Sequence, residues 1–175
     1  MAGVSAEDYL GKSPDASRIG KAVEHLVAAS CVLASGAQLN VSTALVDDEG
    51  VDLVFHRRGG SATLAVQVKS RRTATAGLAR GTFSASVRHQ TFRPRPGFYL
   101  LFVVVDAERA EYGPVWLVPS EEFAAQARQV GAGRRWRFTA STAPQARDQW
   151  RRYRLERTEL ADRILALLGP GEDGE

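Results

Sequence analysis

The chain has 175 residues, 44% of them hydrophobic and 25% charged, with a formal net charge of +3. That length suits one domain with a core of ordinary size, and a single cysteine, Cys31, excludes a disulfide framework and points to the reducing cytoplasm. The longest apolar run, Phe98 to Val105, is far short of the roughly 20 residues that span a bilayer, so no membrane association is expected.

Residues 1–12 are expected to form a flexible N-terminus. A first helix opens at Ser13-Pro14 or Ser17, with Ile19, Val23, Leu26, Val27 and Leu33 as its buried stripe, Cys31 among apolar neighbours and Gly36 at its end. Glu24 lies at the edge of that stripe, where it either pairs with Lys21 or Arg18 or reaches a metal. Leu39 to Val46 alternates as a strand, and Asp47-Asp48-Glu49-Gly50 reads as a solvated turn.

A hairpin follows. Val51 to Arg57 and Ala62 to Ser70 both alternate, and Gly59-Gly60 supplies the turn between them. Counting outward pairs Val51 with Val68, Leu53 with Val66 and Phe55 with Leu64 on one apolar face. The same register sets Asp52 opposite Gln67, with Lys69 two residues along on the polar face. A carboxylate, an amide oxygen and an ammonium thus converge. With the backbone carbonyl of Val68 they match the oxygen-ligand preference of Mg²⁺, beside a cationic group able to act on an attacking water. The bland alternative is a solvated hairpin face carrying ordinary polar residues.

Between Asp52 and Asp106 there is no Asp or Glu, whereas Arg57, Arg58, Lys69, Arg71, Arg72, Arg80, Arg88, Arg93 and Arg95 fall in that stretch. Such a one-signed segment attracts a polyanion, a nucleic acid, DNA or RNA, being the obvious candidate, and Arg57, Arg58, Arg71, Arg72, Arg88, His89, Arg93 and Arg95 are the candidate phosphate contacts. Arg71 to Pro96 reads as a long loop with at most a short helix. Phe98 to Val105 is a central strand buried on both faces, and Pro114 to Val118 is another. Pro119-Ser120-Glu121-Glu122 opens a helix capped by Ser120 and ending near Gly131. Arg134 to Phe138 is a candidate strand. Trp150 to Arg154 interleaves aromatics with arginines, which suits either base stacking or core aromatics with exposed charge. Residues 155–168 form a C-terminal helix packing on the domain or on a second copy, and 169–175 make a disordered acidic tail.

Other chemistries find no support. His25, His56 and His89 lack zinc-ligand spacing, Gly59-Gly60 lacks the Lys-Ser/Thr of a phosphate loop, and there is no Gly-x-Ser-x-Gly elbow.

Gly50-Val51-Asp52 followed by Gln67-Val68-Lys69-Ser70 resembles the signature of the PD-(D/E)XK nuclease superfamily in its Gln-containing branch. The helical segment Gly20 to Val27 is similar to the family's preceding helix, with Glu24 in the matching place. Val46 stands where some relatives have the leading Pro, and Gln67 replaces the commoner Glu. The resemblance, good over residues 17–70, implies a single α/β domain over residues 13–168. Its core would be a restriction-endonuclease-like αβββαβ unit, a mixed central sheet flanked by helices. It further implies a Mg²⁺- or Mn²⁺-dependent endonuclease acting on DNA. In that scheme Asp52, Gln67 and the Val68 carbonyl hold the metal, Glu24 assists directly or through water, and Lys69 acts on the nucleophile. A homodimer would supply two sites for cutting both strands. The competing expectations are a nuclease-fold binding module without catalysis, and a protein-interaction component of a defence or mobile-element system.

Overall fold

A computed structural model describes residues 14–44 and 49–171. The expectations for residues 1–12, for Val46, Asp47 and Asp48, and for most of the acidic tail lie outside these. Helix α1 spans Pro14–Ala34 and buries Val23, Val27 and Cys31. Leu33, expected in that stripe, is 80% exposed. Counted at 3.6 residues per turn, it falls between Val32 and Ala34 on the face away from Val27 and Cys31. Strands β1 (Leu39–Thr43), β2 (Leu53–Arg57) and β3 (Thr63–Arg72) form an antiparallel meander.

The segment expected as a long loop instead contains a short helix, α2 (Ala76–Ala79), and a regular strand, β4 (Thr82–Arg88). Phe83, Ala85 and Val87 alternate there on a buried face, a period hidden in the sequence because Ala85 is small and the outward positions are Ser and Arg. Strands β5 (Phe98–Asp106) and β6 (Glu111–Pro119) follow. Helix α3 (Ser120–Gln126) stops earlier than expected, and Arg128–Val130 becomes strand β7, paired with β8 (Arg135–Ser141). The helix expected over residues 155–168 begins later: Leu155 pairs with Val115 in strand β9 (Arg154–Leu155), and helix α4 spans Leu160–Leu168.

A mixed six-stranded sheet, ordered β1-β2-β3-β5-β6-β9, forms the centre, with a parallel pairing only between β3 and β5. The crossover that parallel pairing demands runs through α2 and β4 rather than through a long helix. A second sheet, β4-β8-β7, stands apart. Because β5 is covered on both faces, its side chains divide between two cores. Leu101, Val103 and Val105 join α1 and α4 in the first, while Phe98, Leu100, Phe102 and Val104 join α3 and the small sheet in the second. The molecule is therefore a single α/β domain with a mixed central sheet flanked by helices. No helix among the described residues is long and apolar enough to cross a membrane.

The second core is aromatic: Phe102 stacks on Phe138 with ring centroids 3.7 Å apart, and Trp150 meets Phe138 at 5.0 Å. Trp150 is thus a core residue rather than a base-stacking platform. Of the charges that follow it, Arg152 bonds Glu122, as does the Tyr153 hydroxyl, and Arg154 bonds Glu156. Ser120, expected as a helix cap, is fully buried at the first position of α3, where its hydroxyl donates to the Arg95 carbonyl and accepts from the Arg95 N–H. Phe138→Ala should lower unfolding free energy by about 3–5 kcal/mol, whereas Leu33→Ser should change it by no more than about 0.5 kcal/mol, both read from urea denaturation midpoints.

Candidate metal-binding site

The hairpin register places Leu53 opposite Val66 and Phe55 opposite Leu64, and all four side chains enter the first core. Strand β2 begins only at Leu53, so Asp52 meets β3 through its own groups. Its N–H donates to the Val66 carbonyl at 2.9 Å, and its Oδ2 accepts from the Val68 N–H at 2.6 Å. Asp52 therefore brackets Gln67, holding the backbone on either side of it. A charge-assisted bond of that length fixes the plane of the carboxylate.

Val51, expected opposite Val68 in the first core, packs instead against the second. The cause lies one residue earlier. Gly50 has φ of 71° and is buried with its backbone against the Gln67 amide, so that any side chain at position 50 would collide with Gln67 Nε2. The chain crosses over Gln67 as it enters the hairpin, which puts Val51 on the far side.

Gln67 and Lys69 share one face of β3, beside Leu100 and Phe102 of β5. Gln67 is 6% exposed, and its Oε1 is buried with no hydrogen-bond partner among the described residues. An amide oxygen taken out of water without compensation costs about 1–3 kcal/mol. Beside the Asp52 carboxylate, such an oxygen fits a hard cation that completes its shell with water and phosphate oxygens. Among the described residues no three His, Cys, Asp or Glu side chains gather as a metal site, so a cation here would rest on one carboxylate with amide and carbonyl oxygens.

Glu24 comes from α1, on the first-core side of the sheet, and pairs with Lys21 at 2.7 Å. The register that gathers Asp52, Gln67 and Lys69 does not extend to it. The arginines also divide. Arg71 lies on the face of Gln67 and Lys69, and burial followed by repulsion from Arg137 lowers its pKa. Arg57 lies on the opposite face, paired with Leu39, and Arg58 is in the turn at the other end of β2 from Asp52. Arg72 borders a concavity that also contains Asp106 and Glu108. Arg93 bonds the carbonyls of His89 and Phe92, while Arg95 pairs with Glu49 at 2.7 Å and covers the Phe98 ring. Arg88 is exposed on β4, and His89 stacks on Trp136. Cys31 is no nucleophile, since burial pushes its thiol up to about 12. Gly50 is the site residue that reading the turn alone misses, although a glycine two places before Asp52 was its visible trace.

No protein-family model and no curated protein matches the chain. Solved structures that match include that of a bacterial homing endonuclease, I-Ssp6803I, at 19% identity and a TM-score of 0.48, covering 79% of this chain and 86% of that one.

Gly50→Ala should destabilise the protein by about 1–3 kcal/mol, through the left-handed backbone and the displaced Gln67 amide. Chemical denaturation measures this, and a cost below that of an ordinary surface substitution would refute the close approach.

Proposed function

We propose that this chain is a metal-dependent endonuclease of the PD-(D/E)XK type, hydrolysing phosphodiester bonds in DNA. The observation that carries the reading is the buried Gln67 Oε1, without a hydrogen-bond partner among the described residues, on the residue next to the Val68 N–H that holds the Asp52 carboxylate, with Lys69 two residues along the same strand. A bound Mg²⁺ or Mn²⁺ would polarise the phosphoryl oxygens and lower the pKa of a water. Asp52, Gln67 and the Val68 carbonyl are the residues that would hold it. Lys69 orients the attacking water, helps remove its proton and donates to the phosphoryl oxygens as charge builds. By resemblance to the family, the bond from phosphorus to the 3′ oxygen breaks, leaving a 5′-phosphate and a 3′-hydroxyl. Two copies acting together would cut both strands.

The single carboxylate favours one alternative, a nucleic-acid-binding module that does not cleave. Incubation of supercoiled, linear and branched DNA with Mg²⁺, Mn²⁺ or EDTA separates the two. Metal-dependent cutting is expected, reduced about 10²-fold or more in folded Asp52→Ala and Lys69→Ala proteins. DNA binding that is indifferent to metal, with no cutting of any substrate, would instead establish the non-catalytic module.

A second measurement addresses the metal without activity. Gln67→Glu puts a second carboxylate in a buried place, so its melting temperature in EDTA should fall below wild type. Added Mn²⁺ should then raise it by more than it raises wild type, because binding to the folded state alone adds to stability. Equal shifts in the two proteins would remove Gln67 from the metal shell.

A further inference from the structure

The small sheet presents a second feature that the metal site does not use. Its inward positions, Phe83, Ala85 and Val87 on β4 with Phe138 and Ala140 on β8, fill the second core. The alternate positions form the other face, and the pairing lays them out in rows. Ser86 faces Arg137, which faces Arg128; Arg88 faces Arg135; Ser84 faces Thr139. None of the three strands contains an Asp or Glu. Arg128 and Arg137 are exposed, and neither has an acidic partner among the described residues. Asp148, beyond the end of β8, is already engaged by the backbone N–H groups of Ser141 and Trp150.

Two guanidinium groups side by side on neighbouring strands repel each other, so the arrangement costs free energy unless an anion lies over them. The row also borders a concave region of about 580 Å³ that includes Gln126 and Gln149. Strand β4 lies next to β3. Arg137 acts electrostatically on Arg71, which shares a strand face with Gln67 and Lys69. Arg71 is thus within electrostatic reach of Arg137, and Arg137 is paired with Arg128, so the basic side chains of the small sheet lie on the side of β4 and β3. Ser84, Ser86 and Thr139 add hydroxyl donors beside these side chains.

From this geometry we infer that the outward face of the β4-β8-β7 sheet holds a DNA duplex by its phosphates, with Arg128 and Arg137 as the central contacts. The inference rests on the nuclease reading, for which it names the surface that presents substrate to β3. Guanidinium forks and hydroxyls at neighbouring strand positions suit phosphate oxygens, and contacts of this kind position a duplex without selecting its sequence.

The test is fluorescence anisotropy of a labelled mixed-sequence duplex in EDTA over a salt series. Wild type is compared with Arg128→Gln/Arg137→Gln and with Arg18→Gln/Arg109→Gln, a control pair that removes the same charge from α1 and from the turn after β5. Equal melting temperatures establish that the variants fold. Each lost phosphate contact should reduce the slope of log affinity against log salt by about 0.9, hence by nearly 2 for the sheet variant, with little change for the control. Arg128→Lys/Arg137→Lys, which keeps both charges, should retain most of the wild-type slope. An unchanged slope in the sheet variant, or an equal loss in the control, overturns the inference. Parallel cleavage by wild type in Mg²⁺ keeps the two readings apart. Cutting with an unchanged slope in the sheet variant would sink this surface alone, whereas a reduced slope without any cutting by wild type would sink the nuclease reading and leave the surface standing.

Discussion

Strand β3 is held from both sides at once, antiparallel to β2 and parallel to β5, and the rest of the structure depends on that double pairing. A strand so placed has no freedom to slip, because a shift of one residue would move Leu64, Val66 and Val68 out of the first core and drive Gln67 and Lys69 into it. The pairing thus fixes which residues are buried and which face the site. It also places Gln67, Lys69 and Arg71 along one line, from a buried amide to a partly exposed guanidinium.

Where β2 ends, side-chain chemistry takes over from the ladder. The Asp52 carboxylate meets the Val68 N–H, so a side chain satisfies a donor that regular pairing would have given to a carbonyl. Gly50 then crosses the Gln67 amide in a conformation that only glycine adopts cheaply. The burial of Gln67 and the orientation of Asp52 are two results of one local departure from the sheet. Such departures at the end of a strand pair are how a regular scaffold aims polar atoms at a ligand.

The small sheet serves two ends. Its inner face closes the aromatic core over β5 and β6, while its outer face carries serine, threonine and arginine. In the sequence those two faces interleave, so Thr82 to Arg88 looks like a weakly patterned loop, with one phenylalanine and one valine among small and polar residues. The short β7 was likewise hidden behind a helical reading, because three residues carry too little periodicity to separate strand from helix. Trp150 was ambiguous for a related reason, since an aromatic beside arginines reads alike whether it stacks on a base or on Phe138.

The sequence by itself determined the hairpin pairing of Leu53 with Val66 and Phe55 with Leu64, the doubly buried β5 and the buried Cys31, because each rests on local apolar periodicity or on a short turn. Only the tertiary structure decided that Gly50 lies on Gln67, that Val51 changes sides, that Arg95 is held by Glu49 and that Arg71 comes under the influence of Arg137. Those contacts join segments far apart in the chain, and no periodicity within either segment encodes the distance between them. The same holds for Arg128 and Arg137, whose meeting across β7 and β8 exists only because an expected helix stops at Gln126.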